Sequence, residues 1–370
     1  MNHQLLALSL SDSLSPKLLL ALRELAGSWE KIWEIPEKNL SAFTRRFRTK
    51  DFEGKDALRF KADRIIGECQ KLGVEILTSD EAHYPHRLSE LYLPPLALYL
   101  KGALSPLTLS EEKKNIAIVG TRHPDPYYLD FTRSASARLS SDGWHIVSGL
   151  ALGIDGEAHA AVTRPGQTTA VLAFGHDKVY PAGNKKLFEK IPAEGGALLS
   201  EYPPGTPPLR HHFPMRNRII SGLADMVLMV QAGETSGALI TVRYALDQNR
   251  DILVLEGESA NEKAAGNRQL ISEGASVVRK VEDILHYYEE NNSETLREKE
   301  STPDNASKSH PDSLEGRLFR ALAGPPKPLT EIARDLSLPA ERLVESLMPL
   351  LLSGRVAEMP GDRYYLAPSG

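Results

Sequence analysis

The sequence predicts a doubly wound α/β domain flanked by a small helical region before it and a winged-helix region after it. Three observations carry this. From residue 115 to 255, continuous apolar runs alternate with amphipathic stretches, the pattern of a parallel sheet covered on both faces. Residues 1–73 instead show only apolar positions at helical spacing. The last 59 residues read as three short helices and a hairpin, set off by a polar tract.

The elements follow in order. Residues 16–25 and 55–72 are helical, the latter through Leu58, Ala62, Ile65, Ile66 and Cys69. Residues 74–77 and 96–100 are strand-like and are joined through Tyr84-Pro85 and Pro94-Pro95. Strands are expected at 116–119, 145–147, 169–173, 197–199, 226–230 and 251–255, with helices at 128–139, 154–162, 217–224 and 237–248. In the tail, 314–323 is a helix, Thr330 is the expected N-cap of 331–336, and Pro339 opens a helix over 340–352. The hairpin strands are 356–359 and 363–366, around Pro360-Gly361-Asp362. This divides the chain into 1–73, 74–288, a linker at 289–311, and 312–370. The linker has six acids, three bases and no aromatic residue, a composition that predicts a disordered tether.

Composition narrows the function classes. Forty-four Lys and Arg against 49 Asp and Glu leave a net charge of −5, and none of the four segments is basic as a whole. A polyanion must therefore be met by a local patch. A single cysteine, Cys69, excludes an intrachain disulfide and any multi-cysteine zinc site. No apolar run approaches the roughly 20 residues of a membrane span, and no signal peptide is legible, so a cytoplasmic protein with no membrane partner is expected.

In doubly wound sheets, ligands sit outside the carboxyl ends of the strands. Here Ser148, Gly149 and Gly153 form a strand-to-helix turn, read either as a tight structural turn or as an anion cradle. Arg122 follows the 116–119 strand, where its guanidinium could fork onto a phosphate. Lys185 and Lys186 follow the third strand of this series, and residues 210–218 hold Arg210, His211, His212, Phe213, Arg216, Asn217 and Arg218 with no acid. Cations concentrated at strand ends of a balanced chain read either as solvated basic loops or as a polyanion site. Phe213 is either a core anchor or a base-stacking platform. Ser236-Gly237 opens a helix that either caps itself or holds phosphate. The two histidines lack companions at ligand spacing, so no metal is expected. Asp155, Asp177 and Glu201 lie near these loops and read as loop-orienting acceptors, since no nucleophile stands beside a base. No catalytic residue and no cofactor are expected.

Taken together, IAIVGTR at 116–122, SGLALGID at 148–155, GHDKVYPAGN at 175–184, LLSEYPPG at 198–205, HHFPMRNRIISGL at 211–223, SGALIT at 236–241 and GNRQLISEGA at 266–275 resemble the DNA-processing protein A family, also called DprA or Smf. The similarity spans roughly residues 74–288. It implies an extended Rossmann-like domain that binds single-stranded DNA and delivers it to the RecA recombinase in natural transformation, usually as a homodimer. It also implies that Arg122 is a phosphate ligand, that Lys185 and Arg210 are DNA contacts, that Phe213 stacks, and that Arg216, Asn217 and Arg218 fill the family's RNR string. Residues 1–73 resemble the family's sterile-alpha-motif or helix-hairpin-helix region, and three departures stand out: Ala173 where glycine is common, Gln231 in place of a frequent glutamate, and no hairpin glycine in 11–16. The terminal winged helix, with Glu341, Arg342 and Glu345 on its third helix and Pro349 within it, suits a protein-contact or structural role better than duplex reading.

The competing reading is an enzyme, a nucleotide phosphoribohydrolase of the Rossmann-like lysine-decarboxylase-like group. Its signature resembles PGGxGTxxE, whereas residues 233–240 read GETSGALI, without the downstream acid. A third reading is a non-catalytic nucleotide sensor.

Overall fold

Six apolar stretches expected to form a parallel sheet do so in the computed structural model. It describes residues 1–46, 50–104, 114–258, 260–300, 314–322, 327–336, 338, 343, 347, 356–359 and 363–366. The strands of the first sheet are β1 (Glu75–Thr78), β2 (Ala97–Gly102), β3 (Asn115–Val119), β4 (His145–Ser148), β5 (Thr168–Leu172), β6 (Ala197–Ser200), β7 (Met226–Met229), β8 (Asp251–Leu255) and β9 (Ser276–Val278). Their order is β1-β2-β6-β5-β4-β3-β7-β8-β9. Pairings from β6 through β9 are parallel, and β1 and β2 add an antiparallel end. The chain runs from β3 outward to β6, returns to β7 beside β3, and then runs the other way. The topological switch point therefore lies at the carboxyl ends of β3 and β7.

Period-two alternation explains the unbroken apolar strands. Ala117, Val119, Val227, Met229 and Val254 enter the core on one face of the sheet. Ile116, Ile118, Met226, Leu228 and Leu253 enter the core on the other. Both faces are covered by helices, so neither alternate set can be polar.

Five helices precede the sheet: His3–Ser9, Pro16–Ala26, Trp29–Glu34, Glu37–Arg46 and Lys55–Leu72. Ser15 caps the second, with its hydroxyl accepting from Leu18 N at 3.3 Å and proline at the first position; Gly27 ends it at φ 86°. Their core does not stop at the expected boundary after residue 73. Leu58, Ala62, Ile65 and Cys69 pack in one cluster with Val74, Ile76, Ala97 and Tyr99 of the antiparallel end. Residues Met1–Glu289 consequently form one compact unit, and Glu290–Gly370 a second.

The helix Val281–Glu300 corrects the expected tether over 289–300. Val281 and Ile284 are buried in the sheet's outer core, and the Tyr288 ring meets Trp144 edge-on at 4.7 Å. This anchored turn removes the nucleation cost, and the following Glu-, Leu-, Arg- and Lys-rich residues, free of Gly and Pro, extend it. Residues 301–311 of the expected tether lie outside the described residues.

In the second unit, helices Leu314–Leu322 and Leu329–Leu336 accompany a sheet of β10 (Lys327–Pro328), β11 (Val356–Met359) and β12 (Arg363–Leu366), ordered β10-β12-β11. Leu318, Leu322, Ile332, Leu336, Leu343, Leu347 and Val356 form its core. Thr330 lies inside the second helix rather than capping it, because the backbone passes from β10 straight into Leu329. Pro339, Glu341, Arg342, Glu345, Pro349 and the turn at 360–362 lie outside the described residues. Among the described residues, no helix is long and apolar enough to cross a membrane.

Candidate functional site

A cleft of about 400 Å³ opens at the switch point. Its lining includes Gly120 and Arg122 after β3, Ala151 and Asp155 after β4, and Gly237 and Ala238 beyond β7. The remaining wall is the helix His212–Gly222 and the segment leading into it.

That helix begins five residues before the expected start at 217. Pro214 occupies its first turn, where no backbone N–H donor is needed, so the proline that reads as a loop signal is compatible with the helix. Helical periodicity then sorts the arginine-rich run into two faces. Phe213, Pro214, Arg216, Asn217 and Ile220 face the cleft, while Arg218 lines none of it. Arg218, 7% exposed, is ion-paired through Nη2 to the Glu201 carboxylate. Its expected role as a DNA contact is therefore corrected: the charge is spent inside the fold.

Arg216 is 4% exposed and forms the cleft floor. Its Nη1 donates to the Gly149 carbonyl at 2.8 Å and to the Val171 carbonyl, and its Nε donates to Asn217 Oδ1 at 3.1 Å. Gly149 is required here, since a Cβ would stand 2.6 Å from the Arg216 guanidinium. Opposite, Asp155 Oδ2 accepts from Gly149 N at 3.2 Å. Burial pushes the Asp155 carboxyl up, restrained by the Arg216 charge. Burial also lowers Arg216 to about 10, which still leaves it cationic at neutral pH.

Several expected phosphate donors are thus committed elsewhere. Ser148 is fully buried and its Oγ donates to the Ile118 carbonyl at 2.6 Å. The Gly149 N–H serves Asp155. Gly153, at φ 76°, lets the loop approach β3: a Cβ there would stand 2.5 Å from the Thr121 carbonyl. Ser236 lies outside the lining, and its Oγ accepts from Ala238 N at 3.3 Å, the capping alternative. Gly237 does line the cleft, and its carbonyl accepts from Asn217 Nδ2 at 3.5 Å.

What remains at the mouth is cationic and aromatic. Arg122 and Arg210 are both exposed and both line the cleft. The Arg122 guanidinium stands 5.6 Å from the centre of the Phe213 ring, a cation–π distance. Phe213 packs against the core around Leu150 and Phe174, as the core-anchor reading expects, and also lines the cleft. Lys185 is exposed at the start of the helix Lys185–Ala193 but is not part of the lining. The preceding Asn184 donates to the Leu150 and Ala151 carbonyls at 3.0 and 2.9 Å, so Lys185 stands next to the cleft's own loop.

Tyr180 is a lining residue that sequence reasoning passed over; it is 40% exposed, with its ring 5.5 Å from that of Phe213. Its signal was its place in the GHDKVYPAGN string. His212 stacks on Tyr202 at 4.0 Å. Asp177 accepts from Gly205 N at 2.7 Å, so it and Glu201 orient backbone and helix. Among the described residues, no group of three or more His, Cys, Asp or Glu side chains is arranged to hold a metal.

A largely parallel open sheet with arginines and aromatic rings converging on its switch point defines a Rossmann-like protein with a cationic, aromatic cleft. The sequence matches the profile described as DNA recombination-mediator protein A over residues 75–289, and the DprA winged helix domain over residues 302–362. Protein Smf of Synechocystis is 36% identical over 333 residues, covering 81% of this chain and 82% of that one. DNA processing protein DprA of Bacillus subtilis is 40% identical over 233 residues, covering 63% and 77%. The chain belongs to the DprA/Smf family. DNA processing protein A of Streptococcus pneumoniae superposes with TM-score 0.64 at 29% identity, over 77% of this chain and 98% of that one. The Helicobacter pylori protein, described with a single-stranded DNA binding mode, gives 0.53 at 29% identity, over 59% and 96%.

Proposed function

We propose that this protein captures single-stranded DNA in the switch-point cleft without sequence preference and without catalysing a reaction on it. It then hands the strand to a RecA-type recombinase during transformation in the cytoplasm. The observation that carries the reading is convergence: Arg122 and Arg210, far apart in the sequence, line one cleft with Phe213 and Tyr180 between sheet and helix. Guanidinium groups track phosphates, and ring faces accept any base. Lys185, beside the cleft's loop, extends the track along the rim. The acids nearby are held in structural hydrogen bonds, which favours binding over acid–base chemistry. The recombinase as recipient and a second copy of the chain as dimer partner follow from the family resemblance.

Anisotropy of a labelled dT oligonucleotide tests the cleft. Arg122→Ala should weaken binding about tenfold, and Arg210→Glu more, because it replaces an attraction by a repulsion. Each lost phosphate contact should also reduce the slope of log K against log salt by about 0.7. Unchanged affinity and slope in both variants would reject the assignment.

A further inference from the structure

The loop that brings Arg122 to the cleft is tied to one residue at both of its ends. Gln231, fully buried just past β7, accepts from Thr121 N through its backbone carbonyl at 2.7 Å. Its side chain meets Asp125 twice: Oε1 accepts from Asp125 N at 2.9 Å, and Nε2 donates to Asp125 Oδ2 at 2.8 Å. The same carboxylate also accepts from Asn261 Nδ2 at 3.0 Å and Lys263 Nζ at 2.6 Å. Asp125 thus joins segments that follow three adjacent strands, β3, β7 and β8, across the switch point. Arg122 lies between the two tied ends.

A carboxylate at 125 only accepts hydrogen bonds, so its buried neighbour must donate to it while accepting the Asp125 N–H. A glutamine does both. A glutamate at 231 would keep the bond from Asp125 N but set carboxylate against carboxylate. The amide at 231 and the acid at 125 therefore require each other.

We infer that Asp125 and Gln231 are positioning residues: they form a reciprocal clamp that presents Arg122 to the strand, an inference that rests on the proposed function. Neither lines the cleft. The clamp holds the loop in its binding shape before the ligand arrives, so the entropy of ordering it is met on folding and not on binding.

The test uses the full chain, a labelled dT oligonucleotide and hydrogen exchange of the 121–125 amides. Gln231→Glu should weaken binding about tenfold, as loss of preorganisation of one charge contact implies, and speed exchange across 121–125. The exchanged pair Asp125→Asn with Gln231→Glu restores the two hydrogen bonds between positions 125 and 231, though not the one Asp125 Oδ2 accepts from Asn261, and should return affinity to within about threefold of the unaltered protein. In an Arg122→Ala background, Gln231→Glu should cost nothing further, because the clamp acts through Arg122. The inference is overturned if the exchanged pair binds as weakly as Gln231→Glu, if the Arg122 and Gln231 losses add, or if exchange at 121–125 is unchanged. Should Arg122→Ala alone leave affinity intact, the proposed function fails, and the exchange rates by themselves still decide whether the clamp exists.

Discussion

Arg216→Ala should destabilise the 1–289 unit by about 3–5 kcal/mol, the usual cost of removing one member of a buried charged network. The size follows from what the guanidinium does. It supplies donors to two buried carbonyls, Gly149 and Val171, and an unsatisfied buried acceptor costs roughly 1–3 kcal/mol. It also offsets the buried Asp155 charge, which would otherwise be left to backbone N–H donors and Arg122. Arg216→Lys should rescue little, because a single ammonium cannot serve both carbonyls and Asn217 with the fork that arginine provides. Urea midpoints at pH 7 decide the matter. Arg122→Ala, on the exposed mouth, should unfold within about 0.5 kcal/mol of the unaltered protein, as surface substitutions do. If Arg216→Ala proved equally stable, the floor described here would be wrong, and Arg216 would belong with the binding cations.

That contrast marks where the sequence is legible. The apolar run 252–255 behind Asp251 reads as a strand buried on both faces, and β8 spans Asp251–Leu255. The hairpin strands Val356–Met359 and Arg363–Leu366 likewise stand where alternation and the Pro-Gly-Asp turn put them. Arg122, Arg210 and Phe213 were legible as cleft residues because charge and aromatic rings at strand ends have few other uses. The commitment of Arg216 to carbonyls and of Arg218 to Glu201 was not legible. An arginine that caps carbonyls or neutralises Glu201 looks in sequence like one that faces solvent, and only the helical phase set by the start at His212 separates them. The three-residue strand β9 is too short to leave a periodic signal. Asp125 and Gln231 lie 106 positions apart, and a reciprocal hydrogen bond leaves no local pattern at either end.

Mild acid should unfold the same unit, through three histidines that the fold holds neutral. His145 Nε2 meets Thr169 Oγ1 at 2.8 Å, His159 Nδ1 meets Thr168 Oγ1 at 2.7 Å, and His176 Nε2 meets the Leu198 carbonyl at 3.0 Å. Among the described residues, the other ring nitrogen of His145 and of His176 has no partner, so protonation would bury a charge and strand an N–H. Burial lowers His145 and His159 to about 3 and His176 to about 4, against about 6.5 when unfolded. With folded values below unfolded ones, stability is intact above pH 6.5 and falls with pH, as the unfolded chain takes up protons that the folded one refuses. At pH 5 each histidine should cost about 2 kcal/mol, at 1.36 kcal/mol per unit below 6.5, and the three together about 6. Asp155 and Glu201 act in the opposite sense, because burial raises their carboxyls and the folded chain binds their protons first; the neighbouring Arg216 and Arg218 charges restrain that gain. The three histidines act together across this interval, against the raised Asp155, Glu201 and Asp225 carboxyls, and the expected result is a urea midpoint that drops from pH 7 to pH 5. His159→Gln, which keeps a polar partner for Thr168 without a group that titrates in this range, should remove about a third of that slope. A midpoint flat across this interval would mean that the three rings are not held neutral inside the sheet's helical cover.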